Sequence, residues 1–225
     1  KTLPGDFSSH MRDTIRDRKV AFAIGQFIEE VTSPEVLDAV HKAADVLSQH
    51  GAIIEELNMD FLREAAAANS LMTQADGAAF HRERFKEHPD WFGEDVRQRL
   101  ETGAGFTSSE YVLARRTQAE VRRRCELLFE EYDALILPTT PIPAPVLEGE
   151  NAVERARLLT RFTAPFNLTG LPALSVPCGF TNDRLPIGLQ VVSRAWNESG
   201  VLRIGYTYQE ATEWHKIKSQ IAVPS

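Results

Sequence analysis

Residues 20–57 read VAFAIGQFIEEVTSPEVLDAVHKAADVLSQHGAIIEEL. Val20, Phe22 and Ile24 alternate with Ala21, Ala23 and Gly25, the period of a short, mostly apolar strand. Ser33-Pro34-Glu35 then opens a helix, with serine at the N-cap, proline in the first turn and an acid facing the positive helix end. Val36, Val40, Ala43 and Leu47 recur at helical spacing, while Glu35, Asp38, Lys42 and Asp45 fall on other faces. Gly51 supplies the left-handed stop, and Ala52 to Leu57 form a second strand. Strand, helix and strand in that order make a right-handed βαβ unit with parallel strands, and hence an α/β fold.

Downstream, Phe61 to Glu87 is helical and ends before Pro89. A short helix over Glu94 to Leu100 runs into a break at Gly103-Ala104-Gly105. Thr107-Ser108-Ser109-Glu110 is a capping box for a helix reaching about Tyr132, whose apolar stripe is Val121, Cys125, Leu128 and Tyr132. Arg122, Arg123 and Arg124 lie close to Glu126, Glu130 and Glu131 and are expected to form a solvated face, not a phosphate site. Ala134 to Leu137 is a buried-strand run, followed by four prolines between Pro138 and Pro145. That stretch is either an interdomain linker or a stiff loop at the carboxyl end of a sheet strand. The core-rich pattern on both sides favours the loop. Val153 to Phe162 is helix-like, and Ala173–Pro177 and Ile187–Ser193 pair as strands through a turn at Thr181–Arg184. A final helix from Glu198 to Trp214 turns Val201, Ile204, Tyr208 and Ala211 to one face.

The chain has 225 residues and a net charge of −7, which suits one α/β unit over 1–225 and argues against nucleic-acid binding. No apolar run reaches the roughly 18 residues of a membrane span. It begins at Lys1 without an initiator methionine, so further sequence upstream is expected. Cys125 and Cys178 read as packing residues, and cytoplasm is the compartment expected. The six histidines have no metal-ligand spacing, so no metal is expected, and His81 and His88 read as surface residues of an amphipathic helix. The chain shows no GxSxG elbow, GxGxxG turn or P-loop. Ser8-Ser9 and Ser108-Ser109 lack flanking glycines, and every lysine reads as surface. No catalytic residue is therefore assigned.

LILPTTPIPAP at 135–145, FTAPFNLTGLPALSVPCGF at 162–180 and LPIGLQVV at 185–192 together resemble the carboxyl-terminal half of the amidase signature family. VAFAIGQF, SPEVLDAVHKAADVLSQHGAIIEEL and YQEATEWH resemble it in the same order. The resemblance implies part of a mixed β-sheet flanked by helices on both sides. It implies amide hydrolysis by a serine, a second serine in a cis peptide and a lysine, with no cofactor. In the family those three residues lie amino-terminal to everything seen here, so the isolated chain is expected to be inactive.

What carries over is the pocket. Thr139, Thr140 and Pro141 match the proline-rich loop beside the cleft, and Thr163, Asn167 and Gly170 match a T-x-P-x-N-x-x-G segment. For both segments, local structural roles stand beside substrate contact. Arg99 resembles the arginine that faces a substrate carboxylate, and Thr160 stands where glutamine-specific tRNA amidotransferase subunits carry an aspartate. A general amidase is thus the implied function, with an amidotransferase subunit or a non-catalytic binding or scaffold domain as alternatives. The implied partners are a small-molecule amide, with no nucleic acid or membrane, and either a second copy or the missing amino-terminal half.

Overall fold

In a computed structural model, which describes residues 6–146, 155 and 157–217, the opening unit forms as its pattern requires. Strand β1 (Lys19–Ile24) leads through a single helical turn, α1 (Gln26–Glu29), into α2 (Pro34–Gln49) and then β2 (Ile53–Asn58). β2 returns parallel to β1, Lys19 against Ile53 through Ile24 against Asn58. Gly51 takes φ +95°, and a Cβ there would press on the Arg16 backbone at 3.2 Å, so the turn requires glycine.

Three helices follow: α3 (Leu62–Glu87), α4 (Glu94–Gly105) and α5 (Ser108–Glu131). α4 runs through the expected break. Gly103 lies buried against the Gln74 carbonyl of α3, and this close helix crossing outweighs glycine's poor propensity. Thr107 and Glu110 close the predicted capping box, Glu110 N to Thr107 Oγ1 at 3.2 Å and Thr107 N to Glu110 Oε2 at 2.8 Å. β3 (Ala134–Pro138), wholly buried, lies parallel to β1 on its other side. A turn of helix, α6 (Ala164–Thr169), precedes the antiparallel hairpin of β4 (Ala173–Phe180) and β5 (Pro186–Val192), and α7 (Glu198–Ala211) ends the main framework.

The sheet order is β2-β1-β3-β5-β4, with β3 parallel to β1 and antiparallel to β5. It is therefore mixed. Alternation divides its residues between two cores. Val20, Phe22, Ala134, Ile136, Leu189 and Val191 pack under α2 and α7. Ala21, Ala23, Leu135, Leu137 and Val192 pack under α3, α5 and α6. Helices flank both faces, as the resemblance implies.

Other boundaries also differ from expectation. β4 continues past Pro177 to Phe180, with an irregularity at Cys178, because an edge strand tolerates the missing proline N–H. α7 stops at Ala211, and a separate 3-10 turn holds Trp214–Lys216. The helix-like reading of Val153 to Phe162 falls partly outside the described residues. Among the described residues no helix is long and apolar enough to cross a membrane.

Candidate functional site

The carboxyl ends of β1 and β3, parallel neighbours, lie on one side of the sheet, where open α/β folds bind ligands. Where β1 ends, Gly25 takes φ +113°, and a Cβ there would stand 2.8 Å from Asp60 Oδ1. The next turn is pinned: the Phe27 amide donates to Asp60 Oδ1 at 2.7 Å. Glu30 accepts from Arg63 Nη1 at 2.6 Å and from Arg161 Nη2, which hold its carboxyl below the usual range, Arg63 foremost. Arg161 also donates to the Phe27 carbonyl at 3.2 Å and covers the Phe27 ring at 4.6 Å. This fastens the chain entering α6 to the exit of β1.

The proline-rich stretch is a loop at the end of β3, not a linker. Thr139 N donates to the Gly188 carbonyl at 2.8 Å, and Thr139 Oγ1 lies 2.7 Å from Ser175 Oγ on β4. Thr140 Oγ1 donates to the Ile142 carbonyl at 2.8 Å, closing the turn on itself. Pro141 is buried and its carbonyl accepts from the Ser33 amide at 2.9 Å. Ser33 sits at the N-cap of α2 as expected, but its hydroxyl makes no capping bond and is buried without a partner among the described residues.

The second segment is held from two sides. Gln118 Nε2 donates to the Leu168 carbonyl at 2.7 Å, and Arg122 donates twice to the Thr169 carbonyl, at 3.1 and 2.9 Å. From β5, Gln190, buried among apolar neighbours, donates to the Phe162 carbonyl at 3.0 Å. Thr163 Oγ1 donates to the Thr160 carbonyl at 3.2 Å, and Thr160 Oγ1 in turn reaches the Arg157 carbonyl at 3.2 Å. Gly170 ends α6 with φ +72°, and Asn167 is exposed. The arginine trio is therefore more than a solvated face. Arg122 satisfies the carboxyl end of α6, Arg123 pairs with Glu126 at 3.3 Å, and Arg124 covers Phe61 at 4.3 Å.

Arg99 stands apart, exposed on α4, with no side-chain hydrogen bond among the described residues. The structure thus unites the loop at 139–141 with β4, β5 and α2, and ties the 163–170 segment to β5 and α5. Arg99 joins neither set. Sequence reasoning missed Ser175 and Gln190. A glutamine inside the apolar run Ile187–Val192 was the available signal, since a buried amide must find a partner.

Cys125 and Cys178 are free and buried in different cores, and burial pushes each thiol up to about 12. No group of side chains among the described residues could hold a metal ion. His81 departs from its surface reading. It is half-buried, edge-on to Phe80 at 4.8 Å and near Phe92 at 5.4 Å, with Nδ1 buried and unpartnered among the described residues.

Comparison with known proteins agrees with this architecture. A glutamyl-tRNA(Gln) amidotransferase subunit from Oceanobacillus iheyensis is 30% identical over 241 aligned positions, covering 96% of this chain and 49% of its own. The chain spans about half the length of the curated relatives it matches. A solved structure described as a vestigial complex bearing on the origins of an s-triazine catabolic enzyme superposes with a TM-score of 0.79 at 27% identity, covering 89% of this chain and 44% of that one. A bacterial aryl acylamidase of the amidase signature family shares the fold, with a TM-score of 0.80 at 18% identity over 95% of this chain and 47% of its own. The family model described as Amidase matches residues 2–202, and the chain belongs to the amidase signature family.

Proposed function

We propose that this chain is the pocket-building, carboxyl-terminal portion of a hydrolase of carbon–nitrogen amide bonds, whose serine, cis-serine and lysine lie in sequence preceding Lys1. The observation that carries this reading is the family match over 2–202 set beside relatives about twice as long. The lysines support it. Lys19, Lys42, Lys86 and Lys216 are exposed, and Lys42 and Lys216 are bound to Asp38 and Glu213 at 2.6 and 2.8 Å. A lysine that relays a serine proton needs burial, which these lack.

Physically, the contribution of this chain is pre-organisation. Thr139 to Pro141 and Thr163 to Gly170 are stiffened by proline, by hydrogen bonds to β5 and α5 and by the Glu30–Arg161 link. A wall so fixed holds an amide against an attacking serine without further ordering cost. Arg99, exposed on α4, is free to meet a substrate carboxylate. The chemistry needs neither metal nor cofactor, and buried free thiols suit a cytoplasmic protein.

A second reading, a tRNA-dependent amidotransferase subunit, is favoured by the names of the curated relatives. Thr160, in place of an acidic residue, argues against it. Glutaminase activity with a copurifying partner protein would support that alternative. The main reading is tested by treating the purified 225-residue chain with a fluorophosphonate probe and measuring intact mass. No adduct and no amide turnover are expected, and a covalently labelled serine in this chain would overturn it.

A further inference from the structure

A hollow lies at the end of the sheet away from the candidate site. Arg18 and Asp133 immediately precede β1 and β3, and Arg194 follows β5, which runs antiparallel to β3. All three therefore stand at the amino end of the parallel strands. The five residues of β3, roughly 16 Å of strand, separate them from the proline-rich loop. Arg203 and Gly200 reach in from α7, and with Asn197 they help enclose about 250 Å³. The frame is fixed by Ser193, which is fully buried. Its Oγ donates to the Asp133 carbonyl at 3.0 Å and accepts from Asn197 Nδ2 at 2.7 Å. Held in this way, Asn197 makes no side-chain cap to α7, whose positive end adds to the field of the arginines.

Charge sets this hollow apart from the rest of the chain. Three arginines against one aspartate give its lining a balance of +2, in a protein whose net charge is −7. Asp13, which pairs with Arg203 from outside the lining, lowers the balance to +1. Glu198, in the first turn of α7, lines a different hollow beside Phe7 and Leu174. A guanidinium carries five N–H donors. Arg18 spends one on Asp133 Oδ1, at 2.9 Å. Arg203 spends two, on the His10 carbonyl at 3.1 Å and on Asp13 Oδ2 at 3.3 Å. The Arg194 guanidinium has no hydrogen bond or ion pair among the described residues. Donors converging from three elements outnumber the two oxygens of a carboxylate, whereas a phosphate group offers three free oxygens and up to two negative charges.

We propose that Arg18, Arg194 and Arg203 form a binding site for the phosphate group of a small molecule, at the opposite end of the sheet from the candidate site. It does not depend on the hydrolase reading. The test titrates the ¹⁵N-labelled 225-residue chain with inorganic phosphate and, in parallel, with acetate. Phosphate is expected to shift the amide signals of Asn197 and Gly200 saturably, with a Kd of about 1 mM or tighter. Acetate should bind more weakly. Arg194→Gln removes no contact within the fold, so its circular dichroism and Tm should match the unaltered chain. Its phosphate affinity should fall by at least about tenfold, the worth of a charge-assisted hydrogen bond. Arg194→Lys should recover only part of it, because an ammonium keeps the charge without the fork. Arg116→Gln removes the same charge from α5 and should leave binding nearly unchanged. No saturable shift at Asn197 and Gly200 would overturn the site. So would acetate binding as tightly as phosphate, or an equal loss in Arg194→Gln and Arg116→Gln, which would reduce the effect to net charge.

Discussion

Replacing Gly103 with alanine tests how rigidly α4, the helix that carries Arg99, is seated on α3. In isolation the change favours the helix by about 1 kcal/mol, because alanine loses less backbone entropy. Against it stands the crossing. A Cβ at 103 would overlap the Gln74 carbonyl oxygen and stand 2.5 Å from its carbon and 3.1 Å from Ala75 N. Carbon atoms rest at roughly 3.5 Å, so α4 must lift by about 1 Å along a buried contact. The obstacle is backbone and cannot rotate aside. Overpacking of this kind costs about 1–3 kcal/mol, and a backbone obstacle places it at the upper end. The net expectation is a loss of about 2 kcal/mol, or roughly 4–8 °C in Tm for a chain of this size. Urea titration followed by far-UV circular dichroism measures it. Gly105→Ala is the control on the same helix, where nothing stands within 4 Å of the added carbon, and it is expected to be neutral or slightly stabilising. If Gly103→Ala matched or exceeded the unaltered chain, the crossing would be loose and the argument that packing overrides propensity there would fail.

Acid should expose the carboxylates that fasten the loops. Glu30 is held below its ordinary 4.5, chiefly by Arg63, Asp60 below its ordinary 3.8, chiefly by the Phe27 amide, and Glu110 below 4.5 by Thr107. Their stabilisation is full above those ordinary values and disappears as pH falls through the lower folded ones, so Tm should hold steady near neutrality and drop below about pH 4.5. Glu30→Gln should flatten that drop, and an unchanged acid limb would refute the role of Glu30. With thiols pushed up to about 12, neither cysteine should react with a thiol reagent at pH 8 in the folded chain, and both should react in denaturant. Fast native labelling would contradict their burial. Gln190→Leu leaves the Phe162 carbonyl without this donor, with an expected loss of about 1–3 kcal/mol. Faster hydrogen exchange over 162–170 should accompany it, and unchanged exchange there would show that Gln190 does not hold the segment.

Elements governed by near neighbours were legible from residue types alone. Gly51 forced its turn, Thr107 and Glu110 closed their box, and the mostly apolar run from Val20 to Ile24 announced a strand, whose two faces the fold places in two cores. Illegible features depend on residues far apart in sequence. Nothing near Gly103 announces Gln74, and nothing near Ser33 announces that its amide bonds the Pro141 carbonyl. The same holds for the site. Motif resemblance located Thr139 and Thr163, but their fastenings, Ser175 and Gln190, come from strands whose register only the folded sheet sets.

The position of β3 has a kinetic meaning. β4 and β5 meet through a turn of a few residues and can zip early, whereas β3 joins β1 only after the chain between them has closed. The Lys19 amide bonds to Asp133 across 114 positions. Loop-closure entropy must be overcome before that contact rewards it, so β3 should dock late and complete both halves of the sheet in one step. Conservative truncations in β3, such as Ile136→Val, should then speed unfolding with little effect on the folding rate, while those in the hairpin slow folding. The strand that joins the two halves of the sheet is also the one on which the chain waits.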